Sequence, residues 1–122
     1  MNIITEHYAY GEDGQNVVVG MGIRSSKGLL DDYATKFHAC VRMTVDEAKA
    51  LAEALPKTHA SFDVQASDSS SLEVYCEEYE CYWMIWQDKG GRTVREPFLF
   101  GEDGWSERFL EAIERAIREA LL

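Results

Sequence analysis

Hydrophobic and polar positions alternate along much of this chain with a period of two, broken twice by helical spacing. Residues 3–10 are rich in β-formers and run into Gly11-Glu12-Asp13-Gly14, a strong turn signal. Val17, Val19, Met21 and Ile23 then alternate with Val18, Gly20 and Gly22, which predicts a half-buried strand paired with the first as a hairpin. Residues 25–36 are the least regular part and are expected to be a loop or a short helical turn. Phe37, Ala39, Val41 and Met43 resume the alternation as a third strand.

Thr44-Val45-Asp46-Glu47 fits a capping box, in which Thr44 accepts from the Glu47 amide while Glu47 reaches back. The helix it opens places Val45, Ala48, Leu51, Ala52 and Leu55 on one face, and Pro56 stops it. The order then repeats. Phe62, Val64 and Ala66 alternate, and Ser67-Asp68-Ser69-Ser70-Ser71 is a turn cluster. Residues 72–87 form a long β-prone run, and Asp88-Lys89-Gly90-Gly91 turns it into residues 92–100. Val94, Phe98 and Phe100 share a face there, and Pro97 favours an edge position. A final helix from about Trp105 carries the stripe Phe109, Leu110, Ile113, Ala116, Ile117, Ala120 and Leu121. The expected fold is a single α+β domain over residues 1–122: an antiparallel sheet of about six strands with two helices on one face, in the order βββα-βββα.

Residues 72–87 hold a conflict. Leu72, Val74 and Cys76 prefer one face, whereas Cys81, Trp83 and Ile85 prefer the other. A β-bulge or bend near Glu77-Glu78 reconciles them, because one extra residue flips the alternation; a tight turn there does so equally well. Residues 82–86 are apolar on both faces, as expected of a central strand or of an exposed patch serving as a dimer seam.

Composition fits this picture. The chain of 122 residues has 46% hydrophobic and 28% charged content with fourteen aromatic residues, enough for a core without staples. No run approaches the roughly 20 apolar residues needed to cross a membrane, and the first residues lack a secretory pattern. Three cysteines, Cys40, Cys76 and Cys81, suggest free thiols in a reducing compartment, so a cytoplasmic location is expected.

Charge changes the picture more. The net charge is −10, and residues 61–88 hold seven acids but no Lys or Arg. Direct nucleic-acid binding through a basic patch is therefore disfavoured, while a protein partner with a basic surface suits the segment. Read as one strand, residues 72–87 put Glu73, Tyr75, Glu77 and Tyr79 on one face, and Glu78, Glu80 and Tyr82 on the other. Glu73, Tyr75, Glu77, Glu78, Tyr79, Glu80 and Trp86 are the expected partner-binding residues, with Trp86 chosen for exposure because its face also carries Glu78 and Glu80. A solvated strand face kept soluble by its charge is the plainer reading of the same pattern.

Other chemistry is thin. His38 and Cys40 can share a strand face, and with Tyr33 they are the candidates for an enzyme or ligand pocket, but no activating partner for the thiol is identifiable. Cys76 and Cys81 lack zinc spacing, so neither a metal nor a cofactor is expected. Gly-Glu-Asp-Gly occurs twice without the further ligands of a calcium loop. Glu111 with Arg115, and Glu114 with Arg118, have the order that favours ion pairs along a solvated helix face. Size, charge and scant chemistry together are similar to small acidic proteins that occupy another protein's surface, such as phage anti-defence inhibitors, immunity proteins and secretion chaperones. The expected function is thus a non-enzymatic binding module, an inhibitor that occludes a basic, nucleic-acid-binding surface of its partner. The alternatives are a small enzyme or ligand-binding domain with a pocket between sheet and helices, or a structural subunit that dimerises.

Overall fold

The computed structural model describes residues 3–26, 33–55, 61–77, 81–98 and 105–122. Its elements are β1 (Ile3–Glu12), β2 (Asn16–Ser26), β3 (Tyr33–Thr44), α1 (Val45–Ala54), β4 (Phe62–Gln65), β5 (Ser71–Glu77), β6 (Cys81–Gln87), β7 (Thr93–Phe98) and α2 (Trp105–Ala120). The architecture is α+β with antiparallel pairing throughout.

One sheet of about six strands is not what forms. The strands divide into a three-stranded sheet, β1-β2-β3, and a four-stranded sheet, β4-β5-β6-β7. Each is a meander of sequence neighbours joined by short connections, and α1 separates them. That helix carries the chain away from β3, so Phe62 pairs with Val74 of β5 and not with β3. The seventh strand comes from residues 72–87, which fold back as a hairpin: Ser71 pairs with Gln87 and Glu77 with Cys81. The chain reverses there and does not bulge, and the expected switch in apolar parity does not occur: even positions face inward on both arms, Leu72 and Val74 on β5, Met84 and Trp86 on β6. The order becomes βββα-ββββα.

Both sheets turn an apolar face to one contiguous core. From the first come Val17, Val19, Met21, Phe37, Ala39, Val41 and Met43; from the second come Phe62, Val64, Leu72, Val74, Met84 and Trp86. The two helices add Ala48, Leu51 and Leu55, and Phe109, Ile113 and Ala116. Register explains the layering. Leu72 lies opposite Trp86 and Val74 opposite Met84, so the inward positions of β6 are the even ones.

Local chemistry sets the boundaries. The capping box at α1 is present, with Glu47 N donating to Thr44 Oγ1 at 3.1 Å and Thr44 N to Glu47 Oε1 at 2.9 Å. β1 runs on through Gly11 to Glu12, and the turn falls on residues 13–15, where Gly14 and Gln15 take φ of 86° and 64°. Gly11 stays in the strand because α2 crosses it closely: a Cβ there would sit 2.5 Å from Ala116 O and from Ala120 N. Half of the expected irregular segment at 25–36 is strand, since Ser25 and Ser26 end β2 and residues 33–36 begin β3; residues 27–32 lie outside the described residues. The Asp88 turn forms as expected, with Asp88 Oδ1 accepting from Gly90 N and Arg92 N, each at 2.9 Å.

One smaller expectation fails. Among the described residues, neither Glu111–Arg115 nor Glu114–Arg118 forms an ion pair. No helix among them is long and apolar enough to cross a membrane.

Candidate functional site

The even, inward positions of β6 decide which tryptophan can meet a partner. Trp86 is fully buried, and Trp83 is the one on the outer face. The expectation of an exposed Trp86 is overturned because even positions face inward on both arms of the hairpin, so Trp86 shares the core face of Leu72 and Val74. Instead, the Trp86 indole Nε1 donates to Glu96 Oε1 at 3.0 Å inside the core.

The outer face of the four-stranded sheet is built from alternate positions of all four strands. Asp63 lies opposite Glu73, Glu73 opposite Ile85, and Ile85 opposite Arg95. Tyr75 lies opposite Trp83, which lies opposite Pro97. The Arg95 guanidinium sits 4.0 Å from the Trp83 ring centroid and 5.7 Å from that of Tyr75. Such contacts attract a cation to the face of an aromatic ring and help fix the ring's position. Tyr75, Trp83 and Ile85 are half-buried, whereas Asp63, Glu73, Arg95 and Pro97 are exposed.

Of the expected binding residues, the structure therefore brings Glu73 and Tyr75 together on this face. Glu77 pairs through its backbone at the end of the hairpin. Its side chain, and Glu78, Tyr79 and Glu80, lie outside the described residues. Asp63, Trp83, Ile85, Arg95 and Pro97 are additions. Their period-two spacing marked them, but only the hairpin register says which parity faces out.

The outer face of the three-stranded sheet carries a different set. Tyr8 lies over Gly20, where a Cβ would come within 2.2 Å of its ring. It stacks between Tyr10 and His38, with ring centroids 6.2 Å and 5.9 Å away. The Tyr8 hydroxyl and His38 Nε2 are 2.6 Å apart. Burial first, and then the neighbouring Cys40 sulfur, push the Tyr8 phenol up to about 12. Alongside, Arg42 grips Glu12 through two bonds of 2.5 and 3.0 Å, which lowers the Glu12 carboxyl below its ordinary value.

His38 and Cys40 do share a strand face, as their spacing suggested. Together they line a cavity of about 220 Å³ with Asp68 and Asp88, smaller than the roughly 300 Å³ at which small-molecule sites begin. The Tyr33 side chain lies outside the described residues. Among the described residues no cluster of three or more His, Cys, Asp or Glu could hold a metal.

A third polar group lies inside. His7, on β1, meets Glu96, on β7, with Nε2 and Oε1 2.5 Å apart, and their side chains are only 7% and 15% exposed. Glu96 occupies the inward position opposite Met84, so one carboxylate in an apolar layer accepts from both the imidazole and the Trp86 indole. The pair ties the edge of one sheet to the edge of the other. The alternation of Val94 and Phe98 could have flagged Glu96, which falls between them on the same face.

Comparison with protein-family models, with curated proteins and with solved structures found no match, so the functional reading rests on these side chains.

Proposed function

We propose that this chain is a non-enzymatic protein-binding module that occludes a basic, nucleic-acid-binding surface of a partner protein through the outer face of the sheet β4-β5-β6-β7. The observation that carries the reading is the Tyr75–Trp83–Arg95 stack, half-buried and bordered by the exposed carboxylates of Asp63 and Glu73. Large, rigid, amphipathic rings at the centre of a patch with charge at its rim are the usual composition of a protein interface. The partner's sign follows from charge: residues 61–88 contain seven acids and no Lys or Arg. Complementary potential speeds encounter and fixes register more than it adds affinity, so Tyr75 and Trp83 supply the anchoring and the acids the steering.

The test is charge reversal at Glu73, Glu77, Glu78 and Glu80, combined with a salt titration. A partner captured by the wild-type chain should be lost by the reversed chain, and its binding should weaken as salt rises from about 0.05 to about 0.5 M. Equal capture by both chains would rule the proposal out.

A further inference from the structure

α2 runs beside β1, and the space between them holds two arginines whose charge opposes that of the chain as a whole. Thr5, His7, Phe109, Arg108 and Arg115 line a cavity of about 370 Å³ there. Arg108 and Arg115 are seven residues apart, two helical turns on one face. Among the described residues neither forms an ion pair, although Glu111 stands four residues before Arg115 with favourable spacing. Glu6 also borders the cavity, but its carboxylate is 3.8 Å from Arg24 on the opposite face of the sheet. In a chain of net charge −10, two guanidinium groups that pair with no carboxylate among the described residues, beside an imidazole and a hydroxyl, form a receptor for an anion.

A second cavity, of about 270 Å³, shares Thr5 and His7 with the first and continues to Glu96 and Pro97. The two ends differ in sign. Guanidinium forks match the tetrahedral oxygens of a phosphate, while the Glu96 carboxylate repels a second anion and accepts hydrogen bonds from hydroxyl groups. We infer that this cleft binds a small phosphate monoester, its phosphate between Arg108 and Arg115 and its neutral, hydroxyl-bearing body toward Glu96 and Pro97. The inference is argued from residues other than those that carry the proposed partner surface, with Pro97 of the edge strand β7 alone bordering both.

Backbone amide NMR shifts followed during titration at constant ionic strength test it, with inorganic phosphate and glycerol 3-phosphate as probes. Saturable shifts confined to Thr5, His7 and the Arg108–Arg115 turns are expected. Glycerol 3-phosphate should bind more tightly than inorganic phosphate. The double variant Arg108→Ala, Arg115→Ala should bind at least about tenfold more weakly, since each charge-assisted hydrogen bond contributes on that scale. Both side chains are exposed, so the variant's amide spectrum should otherwise match the wild type. Absence of saturation, or equal binding by the double variant, would overturn the site. Glycerol 3-phosphate binding no tighter than phosphate would overturn the place given to Glu96.

Discussion

Glu96 Oε1 accepts a hydrogen bond from Trp86 Nε1 at 3.0 Å, and the same oxygen meets His7 Nε2 at 2.5 Å. One carboxylate thus serves two donors at once, and it does so between strands from different sheets. A buried donor without a partner costs about 1–3 kcal/mol. Glu96→Leu should therefore destabilise the protein by about 2–4 kcal/mol in urea unfolding, while Glu96→Gln, which keeps an acceptor oxygen, should lose less. A Glu96→Leu protein as stable as the wild type would show that the network contributes nothing.

The tryptophans of β6 should separate cleanly. Trp86 is fully buried against Phe109 and Leu72, so Trp86→Ala should cost about 3–5 kcal/mol. Trp83→Ala removes a half-buried ring from an outer face and should cost about 1 kcal/mol, chiefly through the lost Arg95 contact. Denaturation midpoints of the two variants decide this. A larger loss at Trp83 would place the wrong ring in the core.

Close approaches of backbone give a third contrast. A methyl on Gly11 would strike the backbone of α2 at Ala116 and Ala120, which cannot move without lifting the helix. A methyl on Gly20 would strike the Tyr8 ring, which can swing away. Gly11→Ala is expected to cost more than about 3 kcal/mol and Gly20→Ala about 1–3 kcal/mol. In the Tyr8→Ala background, thermal unfolding should show Gly20→Ala as nearly neutral.

Tyr8 predicts an alkaline limb of stability. Its phenol is raised from 10.0 to about 12 in the folded chain. The folded state therefore holds that proton more tightly than the unfolded state does, and unfolding releases it once pH exceeds the unfolded value. The contribution is complete below about pH 10 and lost as pH rises to about 12. Tyr8→Phe should flatten the decline of stability across that window. An unchanged slope in the variant would assign the decline to other groups.

Much of the local structure is legible in the sequence because its causes are local. The Thr44–Glu47 box, the Asp88 turn and the stripe of α2 each depend on residues a few positions apart. The strand at Val17 does form, but it is buried on both faces through Gly22 and not half-buried as its alternation suggests. The sequence also offers a reversal within residues 72–87, and the chain does reverse there. The parity switch that suggests it is absent, because Met84 and Trp86, not Trp83 and Ile85, face the core. What periodicity does not encode is which strands pair across long separations. Division into two sheets and the contact between His7 and Glu96, 89 residues apart, belong to that class. The candidate interface shows the same limit, since Glu73 and Tyr75 were placed from alternation alone. The choice between Trp83 and Trp86 needed the register of a hairpin.

The central claim is that the Tyr75–Trp83 face is where a basic partner sits. Hydroxyl-radical footprinting of the chain alone and in complex with a captured partner measures this directly, because it reports on individual aromatic side chains. Oxidation of Trp83 and Tyr75 should fall several-fold in the complex, while Tyr10, exposed on the other sheet, should be unchanged. Protection of Tyr10 with Trp83 and Tyr75 still fully reactive would contradict the account and move the interface to the opposite sheet.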